Sequence, residues 1–258
     1  MVGMAMTMAA NAATTAYTAD DLFIGFTQVG NTSDYLVNIG QASNYTSLAP
    51  NTTVSLSIGD INTDLVAAFG SGYATDSTVK WGAVGTTRLS AVGSDPAHTI
   101  YASKQGDATT ATPWNTGSSS TLSTGDAKIS TMTSGYLGKT STANSIVGLL
   151  QTNIGTASNQ AFASFQPGGA NATGGSAGLS FGLFNPSILA GGASGISSVT
   201  SSLALFRLTP GAVAPSQPIG TFSIDSSGSV SFTSVPEPTS AALGLMGAVL
   251  LVARRRRC

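Results

Sequence analysis

The chain has 258 residues, of which 41 % are hydrophobic and only 8 % charged, with a formal net charge of -1 at pH 7. It is long enough to bury a core without covalent staples, and its single cysteine, Cys258, excludes a disulfide framework. One histidine and one cysteine are too few for a zinc site, and without a basic surplus nucleic acid is not an expected partner.

Met1 to Ala10 is small and apolar, and Ala10-Asn11-Ala12 has the small-x-small form of a signal-peptidase site. No basic residue precedes this stretch, so residues 1–13 read as the remnant of a truncated signal peptide. Residues 14–234 form the body, in which ten aspartates face six basic residues for a net charge of -4. Its wealth of Ser, Thr, Gly, Ala and Asn fits a secreted surface protein.

The body reads mostly as strands. Asp21 to Val29 mixes apolar residues and β-formers, and Asp34 to Ile39 follows a turn at Gly30-Asn31. Thr53 to Ile58 alternates, with Val54, Leu56 and Ile58 on one face. Ile61 to Phe69 reads as a helix, with Asp60 or Asn62 as N-cap and Gly70 as its stop. Val79 to Val84 and Thr99 to Ala102 are further strands, and Ala108 to Thr124 is polar enough for a long loop. Asp126 to Phe165 carries a looser helical pattern, with Ile146, Leu149 and Leu150 on one side, and Gly168 to Gly178 and Gly191 to Gly195 are glycine-rich loops. Leu203 to Leu208 is the next strand, and Ile219 to Ile224 with Val230 to Thr233 forms a hairpin around Asp225 to Gly228. No fixed-period repeat is present. The expected fold is mainly β: a single antiparallel β-sandwich, jelly-roll-like, with a few helices and a C-terminal hydrophobic anchor helix.

Signals for chemistry are sparse. A Ser-His-Asp reading would need His98, in Ser94-Asp95-Pro96-Ala97-His98, to meet an aspartate and a serine in space. An exposed loop position is the plainer reading of His98. Sugar-bond hydrolysis needs two carboxylic acids about 5 to 10 Å apart, and in the body only aspartates could serve, most of them in turn or cap positions. Nucleotide-binding glycine motifs are missing, so no cofactor and no enzymatic activity are expected. Asp60-Ile61-Asn62-Thr63-Asp64 starts like a calcium loop, but Leu65 replaces the required glycine and Ser71 the closing glutamate, which favours a helix cap. Of the two tryptophans, Trp81 reads as core; Trp114, after Pro113 in a polar loop, is the candidate for a carbohydrate contact.

The tail carries the strongest signal. Val235-Pro236-Glu237-Pro238 holds the only glutamate of the chain, and the uncharged run from Thr239 to Ala253 ends at Arg254, Arg255, Arg256 and Arg257. As a helix that run would span about 22 Å, short of a hydrocarbon core of about 30 Å. Arginine stems can snorkel to make up part of the difference, and four arginines stop transfer on the cytoplasmic side. Pro236 and Pro238 keep a helix from running back into the body.

This order of elements resembles the PEP-CTERM sorting signal of exported bacterial proteins. The resemblance implies recognition of Pro236, Glu237 and Pro238 by a membrane-embedded exosortase, and Arg254 to Arg257 as the cytoplasmic stop. It leaves Cys258 without a role. In the body, DLFIGF, DYLVNIGQAS, WGAVGTT and LFRLTPG resemble other PEP-CTERM proteins, a likeness that brings no catalytic or binding residue. The domain division is then residues 1–13, 14–234 and 235–258. The implied course is export, transient anchorage in the inner membrane, exosortase processing, and arrival at the cell surface or outside. A structural or adhesive role in an extracellular matrix is expected, with a carbohydrate-binding module of the exopolysaccharide, or a polysaccharide-acting enzyme, as alternatives.

Overall fold

The computed structural model describes residues 17–28, 30–31, 33–114, 118–137, 148–151, 160–165, 197–199, 201–211 and 216–235. The elements are β1 (Asp21–Gln28), β2 (Asp34–Gln41), α1 (Ser43–Thr46), β3 (Thr53–Ser55), α2 (Ile61–Phe69), β4 (Val79–Thr86), β5 (Ile100–Gln105) and α3 (Ser119–Ser134). They continue with β6 (Gly148–Gln151), a 3-10 turn at Phe162–Phe165, β7 (Ser197–Ser198), β8 (Leu203–Leu208), β9 (Gln217–Ile224) and β10 (Val230–Ser234). All strand pairs are antiparallel, in the order β3-β10-β9-β8-β5-β4-β1-β2-β6, with β7 beside β4.

The strands read as near-continuous apolar runs because both faces of the sheet are covered. On β1, Leu22, Ile24 and Phe26 point to one face and Phe23 to the other; on β8, Leu203 and Leu205 oppose Ala204, Phe206 and Leu208. The first face carries α1 and α2, contributing Tyr45, Ile61, Leu65 and Phe69. The second carries α3, Trp114 and the 3-10 turn, contributing Leu122, Ile129, Met132 and Phe162. Tyr45 follows β2 directly, yet its ring lies 5.7 Å from Phe222 of β9 and 5.0 Å from Phe232 of β10. Those strands stand far from β2 in the order, so the sheet curls around α1. The mainly β, antiparallel fold with few helices is therefore the observed one, and its layers are one curled sheet between helices rather than two stacked sheets.

Two glycines set the packing distances. A Cβ on Gly25 would meet the Phe162 ring at 2.2 Å, and one on Gly220 would meet Phe232 at 2.3 Å. The missing side chains let each ring lie on the strand.

Local signals hold where caps and turns are strong. Asp60 caps α2 by accepting from Thr63 N at 3.1 Å, and Gly70 closes it at φ +88°. The Asp225–Gly228 turn is closed by Asp225 N donating to Ser229 O and Gly228 N to Asp225 O, both 3.0 Å. Three expectations fail. The long polar loop to Thr124 gives way to α3 at Ser119, the helix from Asp126 ends at Ser134 instead of reaching Phe165, and Leu149 and Leu150 lie in β6. Strand pairing from Thr53 stops at Ser55, with Leu56 N still donating to Val230 O at 2.9 Å.

Among the described residues no helix is long and apolar enough to cross a membrane. The expected signal remnant (1–13), the anchor run (239–253), Pro236, Glu237, Pro238, Arg254 to Arg257 and Cys258 lie outside them.

Candidate functional site

Three polar centres stand out against the apolar core. The first is at the end of β4. Thr87 N donates to Thr99 O at 3.1 Å and His98 N to Arg88 O at 2.7 Å, closing the 88–98 excursion at its neck. Arg88 and His98 both hold left-handed backbone, φ +59° and +64°, which costs about 1 kcal/mol or more for a side chain of this kind. That conformation aims His98 at α3, where its Nδ1 lies 2.9 Å from Asp126 Oδ2. Asp126 is buried and its other oxygen accepts from Thr86 Oγ1 at 3.2 Å and Ser130 Oγ at 3.4 Å. A carboxylate accepts only, so Nδ1 is the donor in this contact. Arg88 Nε donates to Ser130 Oγ at 3.1 Å, and the guanidinium sits 5.5 Å from the centre of the Tyr17 ring.

His98 is therefore not a plain exposed loop residue: it belongs to a His–Asp pair with its side chain 23 % exposed. Such a pair can orient a base, but the one described serine bonded to it, Ser130, sits on Asp126, and no described serine bonds to the His98 ring. Residues 174–182 spell two overlapping G-x-S-x-G pentapeptides, around Ser176 and Ser180, and these lie outside the described residues. The pair spans 28 residues of sequence, with no local pattern to announce it.

The second centre is buried at the end of β1, β5 and β8. Arg207 pairs with Asp95, which also accepts from the Tyr101 hydroxyl. Asp20, at φ +77°, places beside them a buried Oδ1 that has no hydrogen-bond partner among the described residues. Burial, with Asp21 nearby, pushes its carboxyl up to about 6 against the pull of Arg207. Asp21 itself is braced by Thr18 N at 2.9 Å and Asn38 Nδ2 at 3.0 Å. These aspartates face a packed interior, and no group of three metal-binding side chains that could hold an ion occurs among the described residues.

The other singled-out residues have separate fates. Asp60, Asn62 and Asp64 diverge: Asp60 caps α2, Asn62 accepts from Tyr73, and Asp64 accepts from the buried Tyr35 hydroxyl at 2.7 Å. Trp81 is core, stacked 6.0 Å from Phe26 with its Nε1 donating to Ser201 O at 3.0 Å. Trp114 corrects an expectation. It is fully buried, with Nε1 3.4 Å from Ala102 O and the Lys104 ammonium 4.6 Å from its ring centre. Stacking on a sugar needs an exposed ring face, and Trp114 offers none.

The third centre is the junction with the tail. Ser234, the last residue of β10, is buried; its N donates to Thr52 O at 2.9 Å and its hydroxyl to Ala49 O at 2.6 Å. Val235 N donates to Ile219 O at 3.0 Å. The fold is thus an antiparallel β domain sealed by helices on both faces, whose last strand hands over directly to an apolar, arginine-ended tail. Residues 234–257 match the PEP-CTERM protein-sorting motif. The chain thus carries the sorting signal of an exported exosortase substrate. No curated protein and no solved structure matches it.

Proposed function

We propose that the protein is a non-enzymatic structural or adhesive component of the cell surface or extracellular matrix, released from its tail by an exosortase. The observation that carries this reading is the sorting motif at residues 234–257, starting inside the last strand. Ser234 and Val235 are bonded into the sheet, so processing beyond Val235 would leave every described strand paired. A sealed core and a surface rich in hydroxyl side chains suit a protein that persists outside the cell. The deciding experiment is cell fractionation with mass spectrometry of the C-terminal peptide. The expected product is external and ends shortly after Val235. External protein that keeps Arg254 to Arg257, or a body confined to the cytosol, would overturn the reading.

A further inference from the structure

Among the described residues the curled sheet does not close into a barrel. Between the end of β2 with α1 on one side and the run from β3 to Ile58 on the other lies an open cleft of about 350 Å³. A bulge shapes one wall: Leu22 pairs Gly40 while Phe23 pairs Asn38, leaving Ile39 over. Gly40 takes φ +87° there, with its N donating to Asn38 Oδ1 at 2.8 Å. Asn38 Nδ2 is held by Asp21, and the Tyr45 hydroxyl donates to Ile39 O at 2.8 Å, so this wall is braced from behind. Bulges of this kind re-aim side chains beside binding sites.

We propose that this cleft binds a neutral saccharide. Three polar side chains point to that class: the Asn44 amide from α1 and the Ser55 and Ser57 hydroxyls from the opposite wall, all exposed and unbonded within the described residues. Leu48, Val54 and Leu56 also line the cleft and give half-buried apolar surface. An amide and two hydroxyls complement sugar hydroxyls, and aliphatic side chains complement the C–H face of a pyranose. No charged side chain lines the cleft, so an anionic ligand would be desolvated there without compensation. A purely apolar ligand would strip water from Asn44, Ser55 and Ser57 and give nothing back. The volume suits about one or two sugar rings, at the small end of ligand sites.

This inference deepens the surface-component reading and rests on it for access to glycans; export is scored by fractionation, so the two fail separately. The test uses the full chain in a detergent without a sugar headgroup. Methyl glycosides of glucose, galactose and mannose, then cellobiose and maltose, are titrated by calorimetry, with glucuronate as the charged control. Saturable binding of at least one neutral sugar is expected at a Kd of about 1 mM, with glucuronate weaker. Asn44→Ala should weaken binding about tenfold, and Ser57→Trp should abolish it by filling the cleft, both without loss of thermal midpoint. Absence of saturable binding by every neutral sugar, tighter binding of glucuronate, or binding indifferent to Asn44→Ala would overturn the proposal.

Discussion

The two faces of the sheet are sealed by different physics. The face under α1 and α2 is closed by rings: Phe26 on Trp81, and Tyr45, Phe222 and Phe232 within 4.8 to 5.7 Å of one another. The face under α3 is closed by a helix of sequence SSTLSTGDAKISTMTS, which offers few apolar side chains. Beside Leu122, Ile129 and Met132, specific bonds hold α3 and its neighbours: Asp126 to His98, and the Tyr136 hydroxyl to Asp34 at 2.7 Å. One face leans on area, which many sequences could supply, and the other adds to its smaller helix contribution a few hydrogen bonds that depend on individual residues.

The largest expected loss is on the ring face. Phe232→Ala removes a fully buried ring that touches Tyr45 and Phe222 and lies over Gly220. The expected cost is about 4 kcal/mol by chemical denaturation, from lost transfer energy plus a cavity. A loss under about 1 kcal/mol would mean that the ring cluster is loosely packed, which would break the contrast.

On the other face, Asp34 is fully buried and accepts from Tyr136 Oη at 2.7 Å and Ala163 N at 2.8 Å. Asp34→Ala removes the acceptor that both donors share in a dry site and should cost about 3 kcal/mol, although it removes little apolar area. Asp34→Asn keeps an acceptor oxygen and should cost about 1 kcal/mol. Equal losses for the two variants would show that shape, not hydrogen bonding, closes this face.

This contrast also explains what could be read from the sequence. The face secured by area was legible. The bounds of Leu203 to Leu208 are legible to the residue because apolar β-formers fill both of its sides, and those of α2 because Asp60 and Gly70 bracket it. The face secured by bonds was not. The hydroxyl-rich start of α3 resembles a loop, since serine and threonine compete with the helix backbone when nothing packs on them. Leu149 and Leu150 fit a helical stripe as well as a strand, and β2 settles the matter by pairing with them. The polar neighbours of Trp114 suggest exposure because they say nothing of Lys104, ten positions earlier, whose ammonium caps the ring. His98 and Asp126 meet only through the fold. At the junction the signal is local and contiguous: the order of elements marks a sorting tail over 235–258, and the matching motif spans 234–257.

The next effect is one of pH. Burial pushes both Asp20 and Asp34 up to about 6, from 3.8. For a carboxyl raised on folding, the unfolded chain gives up its proton first, so stability falls as pH rises through the window from about 4 to about 6. Asp107 works in the opposite sense. Thr109 and Thr110 hold it down at about 2, so its contribution is lost only as pH falls below about 4. The thermal midpoint should therefore be higher at pH 5 than at pH 7. Asp20→Asn, which tolerates the left-handed backbone at φ +77°, should raise the midpoint at pH 7 and flatten that slope. A midpoint that climbs steadily from pH 5 to pH 7 in the parent chain would show that the Asp20 and Asp34 carboxyls do not govern this range.

The smallest expected effect is at the His98 clasp. His98→Asn keeps a side chain suited to φ +64° but is too short to reach Asp126. Asp126 still accepts from Thr86 and Ser130, so the carboxylate is not stranded and the cost should be about 1 kcal/mol. The informative readout is local. Amide exchange should speed up along Ser119–Ser134 and in the 88–98 excursion while β1, β4 and β8 keep their protection, because those strands are also held from the ring face. Uniform acceleration across the sheet would mean that the two faces unfold as one unit, and the division between area and bonds would then describe how the protein is built without describing how it opens.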